Sequence, residues 1–317
     1  MTKRLVCKFR QNISTQLSRH SFDTASPSPP SAVPDPTPND DVLTHPHDNS
    51  PGTHTPPVSG RPGRDSKQTV IVTGASSGIG RATAITLATA GWKHIGGHYR
   101  SNRDGAESTT AVIKSLGSKA TLIAGDIATE TGRGAIVQSA QTLGSVDAWV
   151  HNAGADVLTG SIAGGSFAEK LDLLWRVDAA GTFDLVRRIR TSALPPPQSI
   201  VFLGWDQSTA GMEGDAGQMF GPIKAAVTAF AHSLAQDLAP QTRVNIVSPG
   251  WIRTAWGETS DGYWDRRARE QSLIGRWGTP EDVASAITYL CDPAASAFVT
   301  GQNLAINGGW NRRFERT

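Results

Sequence analysis

The stretch TGASSGIG at residues 73–80 decides how this chain folds. It follows the apolar run VIV at residues 70–72, which predicts a buried strand, and it opens a segment whose apolar spacing predicts a helix. A glycine-rich turn between a strand and a helix leaves unpaired backbone N–H groups, and the positive end of the helix dipole, facing any bound anion. The stretch therefore predicts a phosphate-binding loop.

The spacing of the glycines assigns a task to each of them. Gly74 permits the tight turn, Gly78 lets the backbone approach a pyrophosphate, and Gly80 lets the helix pack closely against the strand. We therefore predict that this loop binds a dinucleotide. The loop residues expected at the cofactor are Gly74, Ser76, Ser77, Gly78, Ile79 and Gly80.

Short apolar runs alternate with helical stretches along the rest of the chain. Strands are predicted at residues 94–99, 120–124, 146–151, 200–203 and 244–247, and helices at 102–116, 130–143, 167–190, 219–239 and 281–290. Strands that alternate with helices of ten or more residues imply parallel crossover units. The predicted fold class is α/β, a single Rossmann-type doubly wound parallel sheet with helices on both faces.

Residues 1–66 differ from the rest of the chain in composition. They hold 11 of the 19 prolines and no long apolar run, which predicts a disordered arm or linker ahead of a domain at residues 67–317. Residues 1–22 are basic, without an acid, as in an organelle transit peptide. A plain tail or a start codon placed too early explains them equally, and we favour that interpretation and a cytoplasmic location.

Charge and cysteine content narrow the class of protein. Residues 67–317 carry 23 basic and 22 acidic side chains, so a nucleic-acid binder is disfavoured. The apolar runs are too short for a membrane span. Cys7 and Cys291 lie far apart, and the sequence predicts neither a disulfide framework nor a metal site.

Further motifs follow in order: HNAG at residues 151–154, PGWIRT at 249–254 and GRWGTPEDVA at 275–284. With the glycine loop, they resemble the short-chain dehydrogenase/reductase family over residues 68–310, especially its 3-oxoacyl carrier-protein reductase and glucose dehydrogenase-like members. The resemblance implies hydride transfer between NADP or NAD and a small carbonyl or alcohol substrate, by a homodimer or homotetramer.

The same resemblance places further residues at the cofactor. Asp126 is similar to the family carboxylate near the adenine, although a helix cap is an equally good interpretation of it. The family segment that lies behind the adenosine ribose is matched here by Asn152, Ala153 and Gly154. The family segment beside the nicotinamide is matched by Pro249, Gly250, Ile252 and Thr254.

The choice between NADP and NAD depends on the end of the second strand. A carboxylate there would bind the adenosine 2′-hydroxyl and repel a 2′-phosphate. Residues 98–103 read HYRSNR and contain no acid, whereas Arg100 and Arg103 can pair with a phosphate. NADP is therefore favoured over NAD.

The catalytic positions depart from the family pattern. Members reduce carbonyls with a tyrosine, a lysine four residues later, a serine about 13 residues before the tyrosine, and an asparagine on the preceding helix. Here Lys224 is present, Phe220 stands at the tyrosine position and Asp178 at the asparagine position. We expect Asp178 to pair with Lys224.

The serine position has no clean match. It falls on Trp205 or Gln207, depending on the alignment, and Ser208 is the nearest hydroxyl. A replacement proton donor is sought among Asp206, Glu213 and Asp215 in the loop after the fifth strand.

We predict Asp206 as the donor, because burial can raise the pKa of a carboxyl enough for it to act as an acid. Tyr263 is the alternative proton donor. The simpler interpretation is that all three acids face water on a glycine-rich turn. Five tryptophans, which either line the cleft or pack in the core, are Trp205, Trp251, Trp256, Trp264 and Trp277.

Two functions remain open. The first is an NAD(P)-dependent oxidoreductase with altered acid–base residues. The second is a catalytically silent dinucleotide-binding sensor or scaffold, favoured by Phe220, whose ring has no proton to give.

Overall fold

A computed structural model describes residues 67–260 and 262–311; the predicted arm at residues 1–66 lies outside this range. Seven parallel strands form one sheet in the order β3-β2-β1-β4-β5-β6-β7. The strands are β1 (Thr69–Val72), β2 (His94–Tyr99), β3 (Lys119–Ala124), β4 (Ala148–His151), β5 (Ser199–Leu203), β6 (Arg243–Pro249) and β7 (Asn303–Ile306). The helices are α1 (Gly78–Thr89), α2 (Arg103–Ser115), α3 (Glu130–Thr142), α4 (Phe167–Leu174), α5 (Thr182–Thr191), α6 (Gly214–Leu238), α7 (Ala255–Thr259), α8 (Gly262–Gln271) and α9 (Pro280–Cys291).

The predicted doubly wound sheet is confirmed, and its strand order locates the binding crevice. The chain leaves β1 toward β2 and β3 on one side, then returns to β4 on the other side. At such a switch point the loops after the two central strands diverge and leave an opening at the carboxyl edge of the sheet. The glycine loop follows β1 and the segment at residues 152–154 follows β4, so both border this opening.

Two apolar layers bury the faces of the sheet. Val70 and Val72 point to the layer under α1 and α9, whereas Ile71 between them points to the layer under α3, α5 and α6. All three side chains are fully buried. Strand side chains alternate between faces, so a sheet covered on both sides requires continuous apolar runs such as the one in β1.

Helix boundaries differ from the sequence prediction in two places that matter for the site. The helix expected at residues 167–190 is α4 and α5 joined by a π-helical segment, Trp175–Gly181, and Asp178 lies in that segment. Helix α6 begins at Gly214, five residues earlier than predicted. The prediction began too late because glycines, which are poor helix formers, occupy the first turns of the helix. Asp215 is therefore in a helix, and its predicted place in a loop is wrong.

Three elements were not predicted at all: β7, α7 and α8. β7 is a short edge strand of four residues, and α8 is polar along most of its length, so neither has a strong periodic signal. No helix among the described residues is both long enough and apolar enough to cross a membrane.

Candidate active site

The glycine loop has the conformation that its glycines were predicted to supply. Gly74 and Gly78 adopt positive φ angles of 70° and 51°, a region that side chains with a Cβ rarely enter. A Cβ on Gly80 would overlap the carbonyl oxygen of Gly74, so the first turn of helix α1 lies too close to the loop after β1 for any other residue. Above Gly78, the nearest neighbour of an added Cβ is Thr254 Cγ2 at 3.8 Å. The loop and Thr254 thus lie close to each other.

The first turn of α1 is left uncapped by its own N-cap residue. Ser77 occupies the N-cap position and its side chain makes no capping hydrogen bond. By contrast, Asn102, Thr129 and Thr279 each accept a backbone N–H bond at the starts of α2, α3 and α9. The N–H groups of Ile79 and its neighbours at the start of α1 are therefore available to an anion. The residues of this loop thus fit the pyrophosphate of a dinucleotide.

Buried side chains hold the loop in place. The Gly74 N–H donates to Nδ1 of His98 at 3.2 Å, so the imidazole proton is on Nε2, 2.9 Å from the carbonyl oxygen of Gly125. Burial lowers the pKa of His98 and keeps the ring neutral. Asn152 Nδ2 donates to the Thr73 carbonyl oxygen at 2.9 Å. The loop is thus fixed to β2, β3 and β4 before any ligand arrives.

The N–H groups of Asn152 and Ala153 both donate to Thr73 Oγ1 at 2.9 Å. This anchors the segment at residues 152–154 directly beside the loop. A Cβ on Gly154 would lie 2.8 Å from Asp178 Oδ2, so the segment also borders the predicted catalytic groups.

The end of β6 forms the opposite wall. Pro249 is the last residue of the strand, and the Gly250 N–H donates to the carbonyl oxygen of Ile306 at 3.0 Å. Ile252 is buried and forms a bridge with Gly278, which fixes the turn that presents Thr254. Thr254 thus lies next to the glycine loop, whereas Ile252 packs in the core layer under α1 and α9.

The two arginines that were predicted to bind the 2′-phosphate have different surroundings. Arg103 is engaged by Glu107, with 2.7 Å between Nε and Oε1, whereas Arg100 is exposed at the end of β2. Asp126 Oδ1 accepts the N–H of Ala128 at 2.9 Å, in the turn that leads into α3. One oxygen of Asp126 therefore supports the turn, in keeping with the capping interpretation.

The predicted ion pair is present. Lys224 Nζ lies 3.0 Å from Asp178 Oδ2, with both side chains largely buried, and donates to the Leu203 carbonyl oxygen at 3.3 Å. The other carboxylate oxygen, Oδ1, accepts the N–H of Ala155 at 2.7 Å. The lysine is therefore fixed at the carboxyl end of β5 by an acid where the family pattern has an amide.

Phe220 lies one turn before Lys224 on α6 and is half-buried. Its ring packs edge-on against Trp205, with 6.3 Å between ring centroids. Near the predicted serine position, Gln207 Nε2 and Ser208 Oγ are buried and have no hydrogen-bond partner among the described residues.

Asp206 lies three residues beyond β5 in a short 3₁₀ turn. Burial raises the pKa of its carboxyl group to about 6, although the Asn307 amide, donating to Oδ2 at 3.1 Å, opposes the rise. Oδ1 is buried without a hydrogen-bond partner in the described part of the chain. A Cβ on Gly250 would lie 3.0 Å from Oδ2, so the carboxyl group is next to the turn after β6. The sequence did not predict Asn307 as a partner of Asp206.

Glu213 and Tyr263 belong to a different cluster, which is centred on Arg267. Glu213 binds the buried guanidinium of Arg267 on α8 through two contacts of 2.5 and 3.1 Å, and Arg267 also donates to the Tyr263 hydroxyl at 3.3 Å. The guanidinium carbon lies 5.6 Å from the ring centroid of Trp251 and 5.3 Å from that of Trp264. Sequence reasoning missed this cluster, because nothing in the chain marks Arg267.

Trp277 is buried with 4% exposure, which favours the core interpretation for it. The side chain of Trp256 lies outside the described part of the structure.

Comparison with known proteins identifies the group to which this architecture belongs. Residues 74–311 match the family model described as Enoyl-(Acyl carrier protein) reductase. An L-rhamnose 1-dehydrogenase (NAD(P)(+)) of Sphingomonas sp. is 31% identical over 248 residues, covering 76% of this chain and 95% of the relative. A 3-oxoacyl-[acyl-carrier-protein] reductase of Synechocystis sp. is 29% identical over 247 residues, covering 76% and 96%.

Solved structures agree with the sequence relatives. A short chain dehydrogenase from Burkholderia cenocepacia in complex with NADP is similar with a TM-score of 0.69 and 28% identity, covering 78% of this chain and 99% of that one. A short-chain dehydrogenase/reductase of the glucose/ribitol dehydrogenase type from Brucella melitensis has a TM-score of 0.67 and 32% identity, covering 77% and 96%. The chain belongs to the short-chain dehydrogenase/reductase family of oxidoreductases.

Proposed function

We propose that this protein reduces a carbonyl, or oxidises the corresponding alcohol, with NADP as the favoured cofactor, and that Asp206 replaces the family tyrosine as proton donor. The observation that carries the proposal is the Asp206 carboxyl group, with its pKa of about 6 and its unpartnered Oδ1 at the carboxyl edge of the sheet. A general acid works best when its pKa lies near the operating pH.

The residues around the crevice divide the work. The glycine loop and the start of α1 hold the pyrophosphate, and Thr254 bounds the nicotinamide end. Bound nicotinamide supplies or accepts the hydride. Lys224, fixed by Asp178 and the Leu203 carbonyl oxygen, would donate its remaining N–H to the adjoining ribose.

Proton transfer is assigned to Asp206. In the reducing direction, protonated Oδ1 gives its proton to the substrate oxygen and is then reprotonated from solvent. In the oxidising direction, ionised Oδ1 accepts the proton of the alcohol. The Asn307 amide holds Oδ2 in either state, and the proton is assigned to Oδ1, which has no hydrogen-bond partner among the described residues.

NADP is favoured over NAD by Arg100. It is exposed at the end of β2, where residues 98–103 contain no acid to repel a 2′-phosphate, and no described residue pairs with it. The neighbouring Arg103 is engaged by Glu107, so the main contribution is assigned to Arg100.

The second candidate function is a silent NAD(P)-binding sensor or scaffold. It is favoured by Phe220, which leaves Lys224 no tyrosine to polarise. It is also favoured by the pairing of Lys224 with Asp178. Steady-state oxidation of NADPH against a panel of aldehydes, ketones and sugars, alongside cofactor titration, separates the two. Turnover that Lys224→Ala lowers supports the enzyme; tight NADPH binding without turnover on any substrate supports the sensor.

We also propose that the chain forms a homodimer or homotetramer in the cytoplasm. Large apolar side chains are exposed along the predicted long helix, at Phe167 and Trp175, and near β7, at Phe298 and Leu304. Apolar surface of this kind is commonly covered in assemblies. Light scattering that returns a monomer would contradict this proposal.

A further inference from the structure

One buried imidazole joins the glycine loop to the turn after β3. His98 is the penultimate residue of β2 and is 2% exposed. Two successive N–H groups of the loop donate to this residue, that of Gly74 to Nδ1 at 3.2 Å and that of Ala75 to the main-chain oxygen at 2.8 Å. On its other side the ring donates from Nε2 to the Gly125 carbonyl oxygen at 2.9 Å. His98 therefore connects the predicted pyrophosphate loop to the turn that carries Asp126, the residue predicted near the adenine.

The two bonds of the ring require one protonation state of His98. Nδ1 must accept the Gly74 N–H while Nε2 donates to Gly125, which the neutral imidazole with its proton on Nε2 can do. A carboxylate would only accept hydrogen bonds at both positions, and an ammonium or guanidinium group would only donate them. A second proton, on Nδ1, would face the Gly74 N–H and leave two buried donors without an acceptor, which is costly. The ring therefore holds the loop only while Nδ1 is unprotonated.

The surroundings of His98 set the pH range in which the ring stays neutral. Burial lowers its pKa, while the hydrogen bond to Gly125 and the negative charge of Asp126 act in the opposite direction. His151 at the end of β4 interacts with the ring electrostatically, but burial lowers the pKa of His151 to about 3 and it is neutral. On β2 itself, the neighbouring charge is that of Arg100, which is exposed. The ring is thus neutral at pH 7 and gains a proton in acid.

The other elements around the ring contribute little net charge. Residues 69–80, in β1 and the glycine loop, contain no titratable side chain. Helices α3 and α5 belong to the layer on the same face of the sheet. Their charged groups form pairs there, Arg133 with Asp184 at 2.6 Å and Glu130 with Arg188 at 3.2 Å. Burial and the single carboxylate after β3 therefore dominate the protonation of the imidazole.

We propose that His98 is a positioning residue for the dinucleotide, and that protonation of its Nδ1 in acid releases the glycine loop and with it the cofactor. The inference rests on the proposed cofactor site at this loop. Because the ring is buried, its protonation requires the loop to move away from Nδ1, and a bound pyrophosphate opposes that movement. Linkage is reciprocal, so the bound cofactor in turn keeps His98 unprotonated, and cofactor binding in acid expels a proton.

Two substitutions divide the two bonds of the ring between them. In His98→Asn the side-chain oxygen takes the place of Nδ1, so an acceptor for the Gly74 N–H remains and cannot be protonated at these pH values. In His98→Gln the longer side chain brings its amide N–H to the place of Nε2, so the bond to Gly125 remains and the acceptor for Gly74 is lost. The pair therefore separates the acceptor under the loop from the rest of the side chain.

Calorimetric titration of the full-length protein with NADP, from about pH 8 to about pH 5, tests the proposal. For the native protein we expect affinity to fall by up to about tenfold per pH unit below the pKa of His98. His98→Asn should bind within about threefold of the native protein at pH 8 and should lack this fall. His98→Gln should bind about tenfold more weakly at pH 8, because the Gly74 N–H is left without its acceptor.

Controls separate the ring from other groups that titrate in this range. The 2′-phosphate of the ligand and Asp206 both have pKa values of about 6, but they are present in every variant, so the difference between the pH profiles reports His98. His94→Asn, at the opposite end of β2, is the matched control and should keep the acid fall. Repeating the titration in two buffers of different ionisation enthalpy should show proton release in acid from the native protein that is absent in His98→Asn.

A fall in affinity that persists unchanged in His98→Asn, or equal affinities of His98→Asn and His98→Gln at pH 8, would overturn the proposal. If neither variant folds, ¹⁵N NMR of the native imidazoles decides, since NADP should lower the pKa of His98 and an equal pKa with and without NADP refutes the coupling. A native protein that binds no NADP at any pH would refute the proposed cofactor site, and this inference with it.

Discussion

Replacing Asp206 by Asn tests the carboxyl group on which the proposed mechanism depends. The substitution keeps the shape of the side chain and removes the titrating proton. If Asp206 is the general acid, we expect turnover of NADPH to fall by about 10²- to 10⁴-fold with cofactor affinity little changed. In the native protein, kcat/KM for reduction should fall tenfold per pH unit above about 6, the pKa of this group. Asp206→Asn should lack this limb.

The same substitution has a stability consequence with a definite sign. The folded-state pKa of about 6 lies above the ordinary value of 3.8, so the folded protein binds more protons between these two values. Stability is therefore lost as pH rises through this window, by at most about 3 kcal/mol. Asn carries no such penalty. We therefore expect Asp206→Asn to be about 1–3 kcal/mol more stable than the native protein at pH 8, and nearly equal to it at pH 3.5.

Urea unfolding at the two pH values and initial rates of NADPH oxidation measure these effects. Asp215→Asn is the matched control, since Asp215 is exposed in the first turn of α6 and should change neither quantity. Asn307→Asp keeps the acceptor for the Gly309 N–H and places a second carboxylate against Asp206, so the acid limb should move to higher pH. A stability difference that does not vary with pH would show that the pKa of Asp206 is not raised. Unchanged turnover in Asp206→Asn, with loss in Tyr263→Phe, would assign the proton to the tyrosine.

Three further predictions concern the cofactor and the altered catalytic positions. Gly78→Glu should abolish NADPH binding in fluorescence titration, because it places a carboxylate where the pyrophosphate lies; unchanged affinity would remove the basis for the loop assignment. NADPH should bind more tightly than NADH, and Arg100→Ala should narrow the ratio of the two dissociation constants severalfold. Arg103→Ala should leave the ratio nearly unchanged, because Arg103 is already paired with Glu107. A clear preference for NADH would contradict the argument. Phe220→Tyr places a phenol one turn from Lys224 and should raise the rate of carbonyl reduction, so an unchanged or lower rate with cofactor binding intact would count against a tyrosine-compatible site.

Sequence alone determined the architecture and the cofactor loop, because both rest on local constraints. Positive φ angles at Gly74 and Gly78 and the close approach at Gly80 are properties of a few adjacent residues. Apolar periodicity indicated six of the seven strands. The spacing of four between Phe220 and Lys224 put both on one helix face, and the family pattern then led to the Asp178 pair that the structure contains.

Tertiary structure alone decided the chemistry of the individual groups. The raised pKa of Asp206 comes from its burial, and the Asn307 amide that opposes the rise is 101 residues away along the chain. The hydrogen bond from the glycine loop to His98 likewise joins segments far apart in sequence, as does the ion pair between Glu213 and Arg267. A pKa or a desolvated contact depends on which distant atoms exclude water from a group, and residue spacing carries no record of that.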